Sequence, residues 1–188
     1  MTGTDPGFAA YAPSPAARPA PVTGAVVVAE AAEDDVPALA ALQARARGGS
    51  ADEWAGRIHR ALRAERDLVI TAKVHGTAVG YANATYLPEH AGDGAPAGYY
   101  LTGVTVDPDW RRHGIATLLT RWRMAWAWER GSALWCFVSA ANRASLDLHR
   151  DLGFGEVASG ASFQGVEFTG GEGRLLRADR PPAGRPPT

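Results

Sequence analysis

The sequence predicts a single α/β domain built on a mixed, mostly antiparallel central sheet with flanking helices. Short runs of β-forming residues alternate with segments whose apolar residues recur at helical spacing, and we find no internal repeat. Residues 133–138 are apolar throughout and directly follow an amphipathic helix. Such a strand is typical of a β-α-β unit, so we expect it to pair in parallel with its predecessor.

Composition and charge narrow the class of protein. The chain has 188 residues, 46% hydrophobic and 21% charged, as is normal for a globular domain. Its 19 basic and 20 acidic residues give a net charge of -1, so no global field attracts nucleic acid or an anionic membrane. The lone cysteine, Cys136, lies in an apolar run and is interpreted as a buried thiol. We expect a cytoplasmic protein, because neither a signal-like start nor a membrane-length apolar run is present.

The two ends of the chain differ in composition from its middle. Residues 1–23 are dense in Ala and Pro, and residues 179–188 are dense in Pro. Such segments bury too little apolar surface to offset the entropy of ordering. We therefore predict disordered tails on either side of one domain at residues 24–178.

Strands are predicted where short apolar or β-branched runs are bounded by turn residues. These runs are 25–29, 68–70, 78–87, 99–106, 133–138, 161–168 and 173–177. The second and third flank His75 and Gly76, which predicts a hairpin with His75 as a turn residue. Antiparallel pairing is expected up to the fourth strand, which ends at Asp107.

The first two helices carry recognisable start signals. Asp34 or Asp35 precedes an apolar stripe and can cap the first helix, which is expected to stop near Gly48. Ser50 and Glu53 then have the spacing of a capping box at the start of the second helix. The loop 48–52 is thereby placed between two short helices.

Two further helices are predicted in the second half of the chain. Apolar residues recur at helical spacing from Ile115 up to a turn at Gly131. Asn142 can cap a final helix that ends at Gly153.

The segment Arg111–Ala116 joins a strand to the third helix and is the main candidate binding loop. A helix N-terminus carries unpaired N–H groups and partial positive charge, so it is an anion site. Gly114 and Ala116 let the backbone approach a phosphate closely, and Arg111 and Arg112 add charged donors. A pyrophosphate is the expected ligand, and the alternative is that the segment is only a solvated turn.

A second signature lies downstream, in Asn142–Ser145 and Leu148–Phe154. Together with Arg111–Ala116, these segments resemble the GNAT superfamily of N-acetyltransferases, whose hallmark is Arg or Gln, two variable residues, Gly, one variable residue, then Gly or Ala. The loop matches at each fixed position, and the order of elements matches over roughly residues 25–177. The resemblance implies a GNAT-like sheet in which one parallel strand pair is splayed, with helices on its flanks.

The resemblance also implies the donor site. Acetyl-CoA is the expected co-substrate, with its pantetheine arm along the strand through Val104 and its pyrophosphate on the Arg111–Ala116 loop. Asn142 is expected to bind the pantetheine arm, although a plain helix cap explains it equally well. The residues implied in cofactor binding are Val104, Thr105, Val106, Arg111, Arg112, His113, Gly114, Ile115, Ala116, Thr117, Asn142, Ser145 and His149.

The chemistry implied is attack of a neutral amine on the thioester, which calls for two proton handlers. The family usually has a tyrosine acid five residues before the Phe of Gly-Phe, and His149 stands there in this chain. We expect either that His149 is the general acid or that it only packs or binds the cofactor. No carboxylate lies on the strand 99–106, so the base is not identified. Tyr100 is a catalytic candidate that with Thr102 can position water or the amine, and the alternative is that it serves only cross-strand packing.

The acceptor is expected to be the primary amine of a small molecule, in the manner of aminoglycoside or polyamine acetyltransferases. A protein N-terminus or lysine is the alternative, as is a coenzyme A-binding module without turnover. A closed pocket or an open groove at loops 48–52 and 169–173 separates the first two. Asp52 and Glu53 lie beside the first loop, although their capping positions already explain them.

Aromatic and basic residues in the third helix admit a second interpretation, a stacking platform for nucleic acid. Trp122 and Trp126 instead continue the apolar stripe, and Arg121, Arg123 and Arg130 are expected mostly on the solvated face. We therefore predict no nucleic-acid partner.

The remaining aromatic and histidine residues are weaker signals. Trp110 or Trp128 is a candidate for a homodimer interface. His59 and His90 have no partners at ligand spacing, so no metal site is predicted.

Overall fold

The computed structural model of the protein describes residues 25–168 and 170–181. Within this part of the chain the strands are β1 (Val27–Glu30), β2 (Asp67–Val74), β3 (Thr77–Leu87), β4 (Gly98–Val106), β5 (Ala133–Ser139), β6 (Gly155–Gly160), β7 (Ser162–Phe163), β8 (Val166–Glu167) and β9 (Gly173–Asp179). The helices are α1 (Val36–Arg47), α2 (Ala51–Arg63), α3 (Ile115–Trp128) and α4 (Arg143–Asp151). Two short 3-10 turns, Glu33–Asp35 and Pro108–Trp110, precede α1 and the loop before α3.

Seven of these strands form one sheet in the order β1-β2-β3-β4-β5-β9-β6. Neighbouring strands are antiparallel except β4 and β5, which are parallel and are connected through α3. The mixed, mostly antiparallel α/β fold predicted from the sequence is therefore confirmed.

β4 and β5 pair over only a short part of their length. Their register joins Tyr99 to Leu134 and Tyr100 to Trp135, whereas β4 continues to Val106. β4 stays paired with β3 up to Val106, and β5 stays paired with β9 along its whole length. The two strands therefore part after Tyr100 and leave a cleft between them, as the splayed pair predicts.

Helices cover the sheet on both faces. The larger core cluster packs α3 against one face, and its most buried members include Leu68, Ile70, Ala82, Ala84, Ile115, Leu119, Leu134 and Cys136. The second packs α1 and α2 against the other face through Val36, Leu39, Ala40, Leu42, Ile58, Val69 and Tyr81. Among the described residues, no helix is long and apolar enough to cross a bilayer.

The predicted turn and one predicted cap are formed as expected. Ser50 and Glu53 make the reciprocal capping box, since Ser50 Oγ accepts from Glu53 N at 3.2 Å and Glu53 Oε2 accepts from Ser50 N at 3.3 Å. His75 and Gly76 have φ values of 48° and 81°, which suit the tight turn of a hairpin. Asp35 precedes α1, but its carboxylate accepts from Ala32 N instead of capping the helix.

The end of the chain differs from the prediction. The predicted strand at 161–168 is a small separate hairpin of β7 and β8, turning at Gln164 and Gly165, which have positive φ. The edge of the main sheet is instead β6, which the pattern did not indicate because its residues are almost all exposed. An edge strand with one solvated face and no apolar stripe gives little period-2 signal.

The boundaries of the domain follow from strand pairing. Asp179 pairs with Ala133 at the end of β9, one residue beyond the predicted domain, and Arg180 N donates to Ser132 O at 2.8 Å. The predicted tail at 1–23 lies outside the described residues, as does 182–188 of the second tail.

Gly173 marks a close approach of the chain to itself. A β-carbon at this position would overlap the ring of Phe168, so we expect Gly173→Ala to destabilise the fold by about 1–3 kcal/mol through overpacking. Urea unfolding measures the change. Gly56→Ala in α2 is the matched control, because it meets open space and is expected to leave stability equal or higher. Equal stability of both variants would contradict this packing account.

Candidate active site

The N-terminus of α3 presents a set of backbone donors. Gly114 precedes the helix with a left-handed φ of 78°, and Leu118 N is the first amide of the helix to find a carbonyl, at Gly114 O. The N–H groups of Ile115, Ala116 and Thr117 are therefore left without an intrahelical acceptor. The first turn has no acidic residue to occupy them. This arrangement suits a phosphate group.

The residues of the loop before α3 divide into two groups. Arg111 and Arg112 line the cleft, and Arg111 Nε approaches Val106 O at 3.4 Å. His113 is outside the cleft lining, because its Nδ1 donates to Arg111 O at 2.9 Å and its ring packs on Trp110. Of the loop residues expected to bind cofactor, His113 is thus the one whose side chain does not line the cleft.

The edge of β4 exposes backbone groups to the cleft. Asp107 N donates to Val79 O at 2.9 Å, so Asp107 faces β3. Successive residues of a strand present their N–H and C=O groups to opposite edges. Gly103 therefore faces β3 as well, whereas Val104 and Val106 face the side on which pairing with β5 has ended. An extended amide-bearing ligand can pair with these groups.

Arg47, at the end of α1, fixes this part of β4. Its Nε donates to Thr105 Oγ1 at 2.8 Å, and its Nη2 donates to Val104 O at 3.0 Å. Arg47 also lines the cleft, although nothing in the pattern of α1 distinguished it from a solvated arginine.

The cleft has a volume of about 580 Å³ and lies between β4, β5, the N-terminus of α3 and α4. Twelve of the residues expected at the donor or catalytic site line it, namely Val104, Thr105, Val106, Arg111, Arg112, Gly114, Ile115, Ala116, Thr117, Asn142, Ser145 and His149. The structure thus brings together segments that are up to 45 residues apart in the chain, from Val104 to His149. No Asp or Glu is among the described residues that line the cleft, whereas Arg47, Arg111, Arg112 and Arg123 are.

Asn142 caps α4 as the sequence indicates. Its Oδ1 accepts from Ser145 N at 3.1 Å, and it also lines the cleft. Its side-chain amide nitrogen can still donate to a ligand while the oxygen caps the helix.

His149 is buried, with 4% of its surface exposed. Its Nδ1 lies 2.7 Å from Ser145 O, and a carbonyl oxygen only accepts, so Nδ1 carries the proton. Nε2 is then an acceptor in the neutral ring. Burial is the main cause that lowers the pKa of His149 to about 4; the hydrogen bond to Ser145 O opposes this shift and the charge of Arg123 adds to it, so the ring is neutral at pH 7. A neutral ring protonated at Nδ1 has no Nε2 proton to give to a thiolate, which opposes the general-acid role.

Tyr100 lies elsewhere. It is fully buried in a separate apolar cluster with Phe137 and Phe168, and its hydroxyl donates to Pro96 O at 2.6 Å. It is not among the residues that line the cleft, so the structure does not bring it to the other residues expected at the site. Tyr100 is still paired with Trp135 of β5, whereas the part of β4 that lines the cleft follows it. Thr102, two residues further on, has no partner in β3 and is the extra residue of a bulge in β4.

Arg123 is the site residue that the sequence analysis placed wrongly. It is 1% exposed and lines the cleft, instead of lying on the solvated face of α3. Its spacing carried the signal, because it lies four residues after Leu119 and four before Ala127, which are both buried. A charged residue on an apolar stripe is tolerated when hydrogen-bond partners satisfy it.

Metal-ligating residues do not gather in the part of the chain that the structure describes. No group of three or more His, Cys, Asp or Glu side chains lies close enough there to hold a metal ion.

Comparison with known proteins gives the family. The model of the acetyltransferase (GNAT) family matches residues 33–154. The chain therefore belongs to the GNAT family and is an acyltransferase of that class. Members of this family use acetyl-CoA. The helix N-terminus and the edge of β4 in the cleft present donors of the kind that phosphates and amides accept from.

Solved structures share the fold at low identity. The ribosomal-protein-S18-alanine N-acetyltransferase from Escherichia coli is 22% identical, with a TM-score of 0.63 over 85% of this chain and 97% of that one. An aminoglycoside 6'-N-acetyltransferase from Acinetobacter haemolyticus is 24% identical, with a TM-score of 0.63 over 73% of this chain and 97% of that one. A search of curated proteins finds no match. The neighbours thus differ in acceptor and establish the fold alone.

The burial of His149 predicts a pH dependence of stability. Its pKa is lower in the folded state, about 4 against 6.5, so the unfolded chain binds the proton more tightly. Stability from this group is present above pH 6.5 and is lost as the pH falls toward 4, by about 3 kcal/mol in total. Urea unfolding of wild type and His149→Phe at pH 7 and pH 4.5 measures it. We expect the wild type to lose more stability than the variant; equal losses would contradict the buried neutral ring.

Proposed function

We propose that the protein transfers an acetyl group from acetyl-CoA to the primary amine of a small molecule. The observation that carries the proposal is the cleft where β4 and β5 part, with the N-terminus of α3 at one end and His149 and Phe137 also in its lining. It combines an anion site with an exposed strand edge, and acetyl-CoA carries both a pyrophosphate and extended amides.

The chain's own residues have separate roles in this proposal. The free amides of Ile115, Ala116 and Thr117, together with Arg111 and Arg112, hold the pyrophosphate. The amides of Val104 and Val106 pair with the pantetheine arm. His149 Nε2 accepts a hydrogen bond within the cleft instead of supplying a proton.

The charge of the cleft bears on how the amine loses its proton. Four arginines and no carboxylate line the described cleft, so its potential is positive. Positive potential lowers the pKa of a nearby ammonium group, which favours the neutral amine that attacks the thioester. A protein carboxylate in the cleft is then unnecessary, and water takes the proton.

Two loops favour a compact acceptor over an extended peptide. The β3–β4 loop and the β7–β8 hairpin are tied together, because Asp93 accepts from Gly165 N at 3.0 Å and Gln164 Nε2 donates to Pro88 O at 3.0 Å. The hairpin end also packs on a cleft residue, with the rings of Phe168 and Phe137 6.1 Å apart. Side chains of the sheet and of the hairpin form one apolar cluster on this side, which favours a compact acceptor over a peptide in an open groove.

Gly114 tests the donor half of the proposal. Gly114→Ala adds a β-carbon at a left-handed φ beside the free amides, so we expect about a ten-fold weaker Kd for coenzyme A by isothermal titration. Gly153→Ala is the matched control: it has a φ of 89° and open space, but it lies outside the cleft. Equal affinities for the two variants would contradict the phosphate-binding loop.

An acceptor panel tests the other half. Thiol release from acetyl-CoA is followed with polyamines, aminoglycosides, small monoamines, and peptides with an N-terminal alanine or an internal lysine. We expect release with at least one small-molecule amine and a rate that rises with pH as the amine loses its proton. Release with peptides alone favours the protein-acetylating alternative. Binding of coenzyme A with no release from any acceptor favours a non-catalytic module.

A further inference from the structure

Arg123 is a buried cation, and no carboxylate in the described part of the chain pairs with it. Among the described residues, its side chain bonds only to neutral groups: Nη1 donates to Asn83 O at 2.9 Å and to Gly103 O at 2.8 Å, and Nη2 donates to Thr120 Oγ1 at 3.0 Å. Nε approaches Leu119 O at 3.4 Å. Buried charges are normally paired, so this arrangement calls for an explanation.

The titratable groups around Arg123 do not balance its charge. They are Cys136 on β5, Tyr81 on β3 and His149 on α4. Burial raises the pKa of Cys136 well above its usual range and that of Tyr81 to about 12, and it lowers the pKa of His149 to about 4. All three are therefore neutral near pH 7. Burial also lowers the pKa of Arg123 to about 10, which still leaves it protonated.

The position of Arg123 links it to the bulge in β4. Leu101 pairs with Ala84 and Gly103 pairs with Asn83, so Thr102 is the extra residue. The two carbonyls that Arg123 binds belong to the pair that follows the bulge. The side chain of Asn83, a member of that pair, also donates from Nδ2 to Thr102 Oγ1 at 2.8 Å. Arg123 thus holds the bulge from α3.

The hydrogen bond to Gly103 O acts on the cleft through one peptide unit. The C=O of Gly103 and the N–H of Val104 belong to the same trans peptide and point in opposite directions. A charged donor on Gly103 O aims the Val104 N–H into the cleft and strengthens it as a donor.

Acetyl transfer generates negative charge in this cleft. The nitrogen of a neutral amine bonds to the thioester carbon, the C–S bond breaks, and its electron pair leaves on sulfur. The amine proton passes to water, and the thiolate takes a proton from water afterwards. Negative charge develops first on the carbonyl oxygen and then on sulfur, and no Asp or Glu is among the described residues that line the cleft.

We propose that Arg123 is a positioning residue for acetyl transfer, which holds the β4 bulge so that the Val104 N–H faces the cleft and supplies the positive charge that stabilises the departing thiolate. This inference rests on the proposed function. It assigns to Arg123 the stabilisation of the departing thiolate, which a neutral His149 does not provide by giving up a proton. It concerns the chemical step and not the affinity for the pyrophosphate.

The acidity of the coenzyme A thiol bound to the wild-type protein is the direct test. Its thiolate absorbance is titrated in the binary complex and compared with free coenzyme A. We expect an acid dissociation constant about ten-fold higher when bound, because a buried cation favours the thiolate. A bound thiol as acidic as the free one, or less acidic, would overturn the inference. An unchanged thiol acidity would not contradict the proposed function. Failure of the protein to bind coenzyme A at all would contradict it.

Variants separate the charge from the packing. Arg123→Gln removes the charge, and we expect it to abolish the gain in thiol acidity and to lower kcat by about 10–100-fold with a small change in the Kd of coenzyme A. Arg123→Lys keeps the charge and retains part of the gain. Arg121→Gln, on the exposed face of α3, is the control and keeps the wild-type values. If Arg123→Gln folds and keeps the wild-type thiol acidity, the inference is wrong; if it does not fold, the wild-type titration decides.

Discussion

The parting of β4 from β5 is the constraint on which the site depends. Each strand is fixed by a different neighbour, β4 by β3 as far as Val106 and β5 by β9 along its length. The two strands are therefore unable to close on each other beyond Tyr100. Backbone groups at the edge of a sheet cost free energy when neither water nor protein hydrogen-bonds to them. A ligand with extended amides supplies the missing hydrogen bonds.

Charge organises the rest of the cleft. The free amides of α3 and the arginines of the preceding loop lie at one end, and Arg123 lies beside Gly103 on β4. Desolvation keeps His149 and Cys136 neutral, so they do not quench this positive potential. The positive potential attracts an anionic donor and favours the neutral form of an amine. This explains how a cleft with no carboxylate in its described lining can support amine acetylation.

The sequence predicted the parts of the fold that rest on local chemistry. The capping box at Ser50, the turn at His75 and the apolar strand β5 each depend on residues close in the chain, and each is confirmed. The exposed edge strand β6 lacks an apolar period and was missed.

The errors at the site are tertiary in origin. Tyr100 was a candidate because of its strand, but it lies where β4 is still paired with β5, and the sequence does not show where that pairing ends. Arg123 was assigned to the solvated face because of its charge, although its spacing matched the buried stripe. The carbonyls that satisfy it come from β3 and β4, 40 and 20 residues away, and no local pattern shows them.

Amide hydrogen exchange with and without coenzyme A tests the central claim most directly, because it reports on the backbone donors themselves. We expect slowing to be concentrated at Val104 and Val106 on β4 and at Ile115, Ala116 and Thr117 at the start of α3. Slowing confined to other segments, with these five amides unchanged on saturation, would contradict it.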